Sequence, residues 1–290
     1  MRIADALARG PSISFEFFPP RTPEAETRLY ETVERLAPLR PTFVSVTYGA
    51  GGATRRMTID IVRRVKRESG IEAMAHLTCV GHTAAELAAI LDELVAAGIE
   101  NVLALRGDPP RGEAAFAPVA GGFAHGAELA AFIRSRWDVC IAGAAYPEKH
   151  IEAPDRETDL RHLEAKVAAG AQVLITQLFF DPADYFAFVE RARAAGITVP
   201  IVPGIMPVTN VGQIERFTTM CGARIPASLH DLLARVDGDE LAVTAVGIEW
   251  AADMCRTLLA GGAPGLHFYT LNRSHSAQAI VGLLRQDGRL

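Results

Sequence analysis

The chain runs to 290 residues, 49% hydrophobic and 22% charged, enough to bury a large core. A net charge of −5 and a pI near 5.9, with no lysine- or arginine-rich tract, argue against a broad nucleic-acid footprint. Nowhere do about eighteen apolar residues run uninterrupted, the opening MRIADALARGPS is too short and polar for a secretory signal, and the scattered Cys79, Cys140, Cys221 and Cys255 form no C-x-x-C, which together predict a cytoplasmic protein with no membrane span, disulfide framework or zinc site.

In chain order, β-branched and aromatic runs predict strands at 12–18, 42–48, 72–78, 101–105, 139–146, 172–179, 200–205 and 266–271. Helical spacing fills the intervals at 23–37, 54–69, 83–97, 126–136, 156–169, 182–195, 210–221 and 240–260, with a last helix at 274–285. Thr83 and Glu86 have capping-box spacing, and glycines at 70, 98, 170 and 196 stop helices ahead of strands. The strands lack polar alternation, as expected where both faces of a parallel sheet are covered. Eight strand–helix units predict an α/β fold of one domain over 1–290, a (β/α)8 TIM barrel. The rival is an open doubly wound sheet. Its expected glycine-rich turn has a partial counterpart in GAGGAT (49–54), which lacks the third glycine of G-x-G-x-x-G.

A barrel builds its site from strand C-terminal ends and the loops that follow. Polar residues fall there in numbers: Glu16, Thr47, Tyr48, His76, Thr78, Arg106, Asp108, Tyr146, Glu148, His150, Gln177, Tyr269, Asn272 and Arg273. Each has a plain alternative, such as a strand-end glutamate paired with an arginine, a satisfied core histidine or a salt-bridged RGD turn. Asp159, His162 and Lys166 lie on one side of a predicted helix, either as a solvated face or as a holder of a ligand's sugar or phosphates.

The segments SFEFFPPRT, FVSVTYGA, AHLTC, ALRGD, AAYPEKH, ITQLFFD, PGIMPV and HFYTLNR resemble, in order and over essentially the whole chain, the motifs of bacterial 5,10-methylenetetrahydrofolate reductases. The resemblance implies FAD-dependent reduction of 5,10-methylenetetrahydrofolate to 5-methyltetrahydrofolate, with NADH or NADPH as electron donor. It also suggests a homo-oligomer, while the charge and the lack of a long apolar run predict neither a nucleic-acid nor a membrane partner. By motif it assigns Glu16 and Asp108 to catalysis, and Thr47, Gln177, Gln213, Phe217, Tyr269 and Arg273 to substrate. To FAD it assigns Thr47, His76, Leu105, Arg106, Gly107, Asp108, His125, Gly126, Tyr146, His150, Asp159, His162 and Lys166. His125 and Gly126 stand where relatives often have tyrosine and alanine, and His162 and Ala165 replace an asparagine and an arginine.

Opening the folate's five-membered ring requires protonation of a leaving nitrogen and stabilisation of an iminium cation. The aromatic, proline-bounded run around Glu16 predicts a desolvated carboxyl able to keep a proton, and Asp108 is then the ionised partner. Two flat substrates sharing one flavin face predict ping-pong kinetics. A barrel aldolase or isomerase, and a flavin- or folate-binding module acting only inside a larger electron-transfer complex, are the rival readings.

Overall fold

A computed structural model describes residues 1–48, 52–109, 112 and 116–290, the side chains of 52–55 excepted. Eight parallel strands form a closed barrel in chain order: β1 (Ser12–Phe17), β2 (Phe43–Val46), β3 (Glu72–Thr78), β4 (Asn101–Leu105), β5 (Cys140–Ala145), β6 (Val173–Leu178), β7 (Ile201–Ile205) and β8 (Gly265–Tyr269). β8 returns to β1, with Glu16 opposite Tyr269. The predicted barrel is therefore present, and the closed ring rules out the open sheet. The glycine-rich stretch 49–54 begins outside the described residues.

The helices are α1 (Ile3–Leu7), α2 (Pro23–Leu36), α3 (Gly52–Ser69), α4 (Ala84–Ala96), α5 (Gly126–Arg134), α6 (Arg156–Ala168), α7 (Pro182–Ala194), α8 (Val211–Cys221), α9 (Ala227–Ala234), α10 (Glu240–Ala260) and α11 (His275–Gln286). The Thr83–Glu86 capping box forms at the start of α4. Asp155, Asp181, Asn210 and Asp239 cap α6, α7, α8 and α10 through their side chains, satisfying amides that a helix start leaves without partners. The sequence reading missed α1 and α9. The first is a single turn whose Ile3 and Leu7 plug the lower barrel interior, and the second packs Leu229 and Leu233 into an apolar cluster with Ile214 of α8 and Val243 of α10.

Strand parity decides what faces where, because successive side chains point to opposite faces. On β1, Ile13, Phe15 and Phe17 join the core between sheet and helices. Ser12, Ser14 and Glu16 therefore point into the barrel. Phe43, Met74, Leu103, Ala142, Val173, Ile175 and Val202 fill the lower interior with apolar side chains, so the inward polar groups gather at the open, C-terminal end.

One close approach fixes the rim near β7. A Cβ on Gly247 of α10 would lie 1.8 Å from the Val208 carbonyl oxygen, so the helix can touch the loop after β7 only without a side chain there. In an isolated helix, Gly→Ala would gain about 1 kcal/mol, but here the collision outweighs that gain. Gly247→Ala is expected to lower stability by about 1–3 kcal/mol in denaturant unfolding, and an unchanged or raised midpoint would show that the loop does not rest on this helix.

Candidate active site

Glu16 sits one residue before the end of β1, its side chain 19% exposed at the barrel mouth. Its Oε2 lies 3.5 Å from Nε2 of His76 on β3 and 3.5 Å from Nε2 of His267 on β8. His267 also meets Ser14 Oγ through Nδ1 at 2.8 Å and stands 3.5 Å from Ser45 Oγ. These contacts correct the expected environment of Glu16. Phe15 and Phe17 point away from the carboxylate, and the groups facing it are two imidazoles. His267 escaped the sequence reading, although it shares the inward parity of Tyr269 two residues later.

Burial pushes the His76 imidazole down to about 4, partly offset by Glu16 and reinforced by His267. The ring is thus neutral near pH 7, and among the described residues its Nε2 makes no hydrogen bond, the Glu16 carboxylate at 3.5 Å included. Thr78 Oγ1, on the same inward face of β3, is likewise buried and without a hydrogen-bond partner among the described residues. Two orphaned polar atoms on one rim strand mark a place where a ligand would complete the hydrogen bonding.

Tyr269 donates its hydroxyl to the Thr176 carbonyl at 2.6 Å, and burial holds its phenol well above the ordinary value. It therefore acts as a neutral wall rather than a proton source. A register shift between Ile175 and Leu178 breaks the β6–β7 ladder. The Gln177 Oε1 accepts the Leu178 N–H at 2.9 Å, leaving chiefly its NH2 group for a ligand. Gly204 gives the ring room, since a Cβ there would lie 2.6 Å from a Tyr269 ring carbon and 2.3 Å from the Thr176 oxygen.

The β4–β6 side of the mouth carries a second group. Tyr146 and His150 meet edge to face at 4.6 Å, Lys166 Nζ lies 5.4 Å from the Tyr146 ring centre, and Asp159 Oδ2 accepts the His150 N–H at 3.2 Å. Lys166 donates to the Ala144 carbonyl at 2.8 Å, and burial brings its ammonium down to about 8. Arg106 is gripped in a two-point ion pair by Glu152, with Nη2 2.6 Å from Oε1, which raises its pKa. No local pattern announces Glu152, a loop residue 46 positions away.

Gly107 adopts φ +88°, and a Cβ there would lie 2.7 Å from Val80. Gly126 begins α5, where a Cβ would approach the Ala104 carbonyl oxygen at 3.2 Å. Leu105 ends β4, and Asp108 stands exposed three residues beyond it. His125 and His162 are also exposed, so His162 does not share the partly buried aspect of Asp159 and Lys166 on α6. Thr47 follows β2 rather than belonging to it, and its N–H donates to the Phe17 carbonyl at 2.8 Å. Gln213 and Phe217 lie on α8, with Phe217 packed into the same apolar cluster as Tyr269. Arg273 and Tyr269 line a cavity of about 380 Å³ beside the N-terminus of α10.

The tip of β1 is held from the β8 side. Thr270 Oγ1 donates to the Glu16 carbonyl at 2.6 Å, and the Asn272 side-chain amide binds both the Phe18 N–H (3.0 Å) and its carbonyl (2.8 Å). Leu271 and Asn272 adopt φ of +49° and +57°, unusual for side chains other than glycine.

The depressed His76 pKa couples stability to pH. Between about 6.5 and about 4 the unfolded chain binds a proton that the folded one refuses, so stability present above this window is lost as pH falls through it. His76→Gln is expected to flatten that part of the stability-versus-pH curve relative to the parent protein in thermal melts. Parallel curves would mean that His76 is not the group responsible.

A family model described as methylenetetrahydrofolate reductase matches residues 2–285. The chain is 42% identical over 273 residues to the 5,10-methylenetetrahydrofolate reductase of Escherichia coli, covering 94% of this chain and 90% of that one. It is 42% identical over 281 residues to methylenetetrahydrofolate reductase (NADH) 1 of Arabidopsis thaliana, covering 93% of this chain. The chain spans only about half the length of the plant relatives, 48% in the Arabidopsis case. Among solved structures, a Clostridium thermocellum protein that binds two copies of 5-methyl-5,6,7,8-tetrahydrofolic acid matches with a TM-score of 0.61 at 15% identity, covering 98% of each chain. A phosphonopyruvate hydrolase matches at a TM-score of 0.53 and 14% identity, covering 99% of this chain and 86% of that one, a likeness of fold alone. With residues 2–285 matched by one family model and a relative 42% identical over nine-tenths or more of both chains, the chain belongs to the methylenetetrahydrofolate reductase family.

Proposed function

We propose that this protein reduces 5,10-methylenetetrahydrofolate to 5-methyltetrahydrofolate with FAD as cofactor and NADH or NADPH as donor, in a ping-pong sequence. The observation that carries the reading is the inward turn of Glu16 at the same barrel end as the Arg106–Asp108 loop and the Tyr146–His150–Asp159–Lys166 group. Family membership supports the substrate, and the names of plant relatives support NADH as donor. The folate bound by the Clostridium protein is consistent with this.

The orphaned His76 Nε2 and Thr78 Oγ1, together with side-chain-free approaches at Gly107 and Gly126, suit a large planar cofactor with a phosphate-bearing tail. In this reading Thr47, His76, Leu105, Arg106, Gly107, Asp108, His125, Gly126, Tyr146, His150, Asp159, His162 and Lys166 hold FAD. When bound, it supplies the hydride chemistry that side chains lack. Glu16 delivers a proton to the folate's leaving nitrogen, and His267, 3.5 Å away, is placed to return one. Asp108 offers negative charge where the substrate becomes cationic. Gln177 and Gln213 orient the pterin by hydrogen bonds, Phe217 and Tyr269 border its flat faces, and Arg273 meets the folate's outer portion.

The purified protein is expected to show a flavin absorbance spectrum that NADH bleaches without air, and parallel lines in two-substrate initial-rate plots. Glu16→Gln should keep FAD and its bleaching but lose folate reduction by about 100-fold or more, within the usual range for general acid catalysis. A colourless protein that FAD cannot reconstitute would sink the cofactor assignment, and normal folate turnover by Glu16→Gln would sink the acid assignment.

A further inference from the structure

The loop between β5 and α6 and the segment leaving α8 meet at one carboxylate that the reading above does not use. Both oxygens of Glu148 accept the Arg224 backbone N–H, at 3.0 and 3.1 Å, and the side chain is only 15% exposed. The Arg224 guanidinium in turn reaches Asp184 on α7 at 3.1 Å. Directly before this contact, α8 ends at Gly222 with φ +76°, and a Cβ there would lie 3.6 Å from the Ile151 Cβ. The end of the helix thus rests on the loop. Within that loop Lys149 adopts φ +141°, a conformation that must be held by its surroundings. The Lys149 ammonium donates to the Ala153 carbonyl, and the next residue's N–H goes to Asp159.

Glu148 therefore lies between Tyr146 and His150 in sequence while gripping the chain that leaves Gln213 and Phe217. We propose that Glu148 is a positioning residue, clasping α8 to the β5–α6 loop so that the folate-side residues of the helix are set against the flavin-side residues of the loop. This rests on the function proposed above. Removing the acceptor frees the helix end to shift without touching any group assigned to FAD or to the reacting atoms.

Opposing influences act on the clasped carboxyl. Burial, with help from Asp184, pushes Glu148 up to about 7, against the opposing pull of the Arg224 amide, the Arg224 guanidinium and Arg156. Arg191 of α7 reaches the neighbouring Pro147 carbonyl, and Cys221 at the end of α8 also senses Glu148. The Arg224 amide and guanidinium draw this carboxyl down, so the contacts that form the clasp hold the ionised carboxylate more firmly than the acid, against the burial that opposes ionisation.

The test compares Glu148→Ala, which removes the acceptor, with Glu148→Gln, which keeps an uncharged one. Deuterium exchange in α8 and at Arg224 should rise in the alanine variant and remain at the parent level in the glutamine variant, whatever the protein's activity. Glu148→Ala should raise the KM for methylenetetrahydrofolate by about tenfold, the effect of one lost hydrogen bond, with FAD content and NADH bleaching unchanged. Glu148→Gln should restore that KM. Unchanged exchange in Glu148→Ala overturns the clasp. Increased exchange with a parental KM, or a KM rise that glutamine fails to rescue and that tracks FAD loss, overturns the positioning role. A parent protein that binds FAD but never turns over folate overturns the functional reading and the positioning role with it, while the exchange result still stands for the clasp.

Discussion

Glu16 faces the barrel interior because its two flanking phenylalanines cannot. Phe15 and Phe17 are 0% and 1% exposed in the core between sheet and helices, and burying each is worth about 1.5–3 kcal/mol. A one-residue slip of β1 would turn both rings into the mouth and drive the carboxylate among Leu29, Val33 and Leu36 of the outer core. Parity in this strand is therefore strongly enforced, and the direction of the acid follows from it. The aromatic run around Glu16 aims the carboxylate rather than enclosing it.

That constraint explains why the polar interior is confined to one end. Ser14, Ser45, His76 and His267 face Glu16 or one another, while the layer below is apolar and plugged by α1. A charged group at the depth of Met74 or Val173 would find no partners, whereas Glu16 keeps two imidazoles within 3.5 Å and a partial opening to water. The neutral state of His76 belongs to the same arrangement, because burial at the barrel mouth disfavours the imidazolium by more than the Glu16 carboxylate favours it.

The ring of strands, the order of helices and the capping box at Thr83 were legible in the sequence because each rests on a local pattern: runs of β-branched residues, helical spacing, or a polar residue three before a glutamate. Parity also carried a signal for His267, two residues before Tyr269 on the same face, which the sequence reading did not use. Other features leave no such trace. Glu152 meets Arg106, and Glu148 meets Arg224, from irregular loops across 46 and 76 residues, so only the folded chain brings them together. The short α1 spans too few residues to display a period, and α9 falls within a connection whose apolar residues join a cluster built by α8 and α10. The environment of Glu16 was misread for a physical reason: in a strand, adjacent residues are the ones least able to touch.

The last constraint on Glu16 comes from the opposite end of the chain. Beyond the final β1–β8 pair, where Glu16 faces Tyr269, the ladder is continued by the side chain of Asn272, which binds both polar groups of the Phe18 backbone. To reach that position, Leu271 and Asn272 take left-handed conformations that cost about 1–2 kcal/mol per residue. Two hydrogen bonds from Asn272 and one from Thr270 to the Glu16 carbonyl, each worth about 1 kcal/mol net, offset much of that cost. Thr47 holds the other side through the Phe17 carbonyl. The strand tip bearing the acid is thus braced by the first and last turns of the barrel at once. A change in the β8–α11 loop can misplace Glu16 without contacting its carboxylate, because the closure of the ring and the aim of the acid depend on the same few backbone bonds.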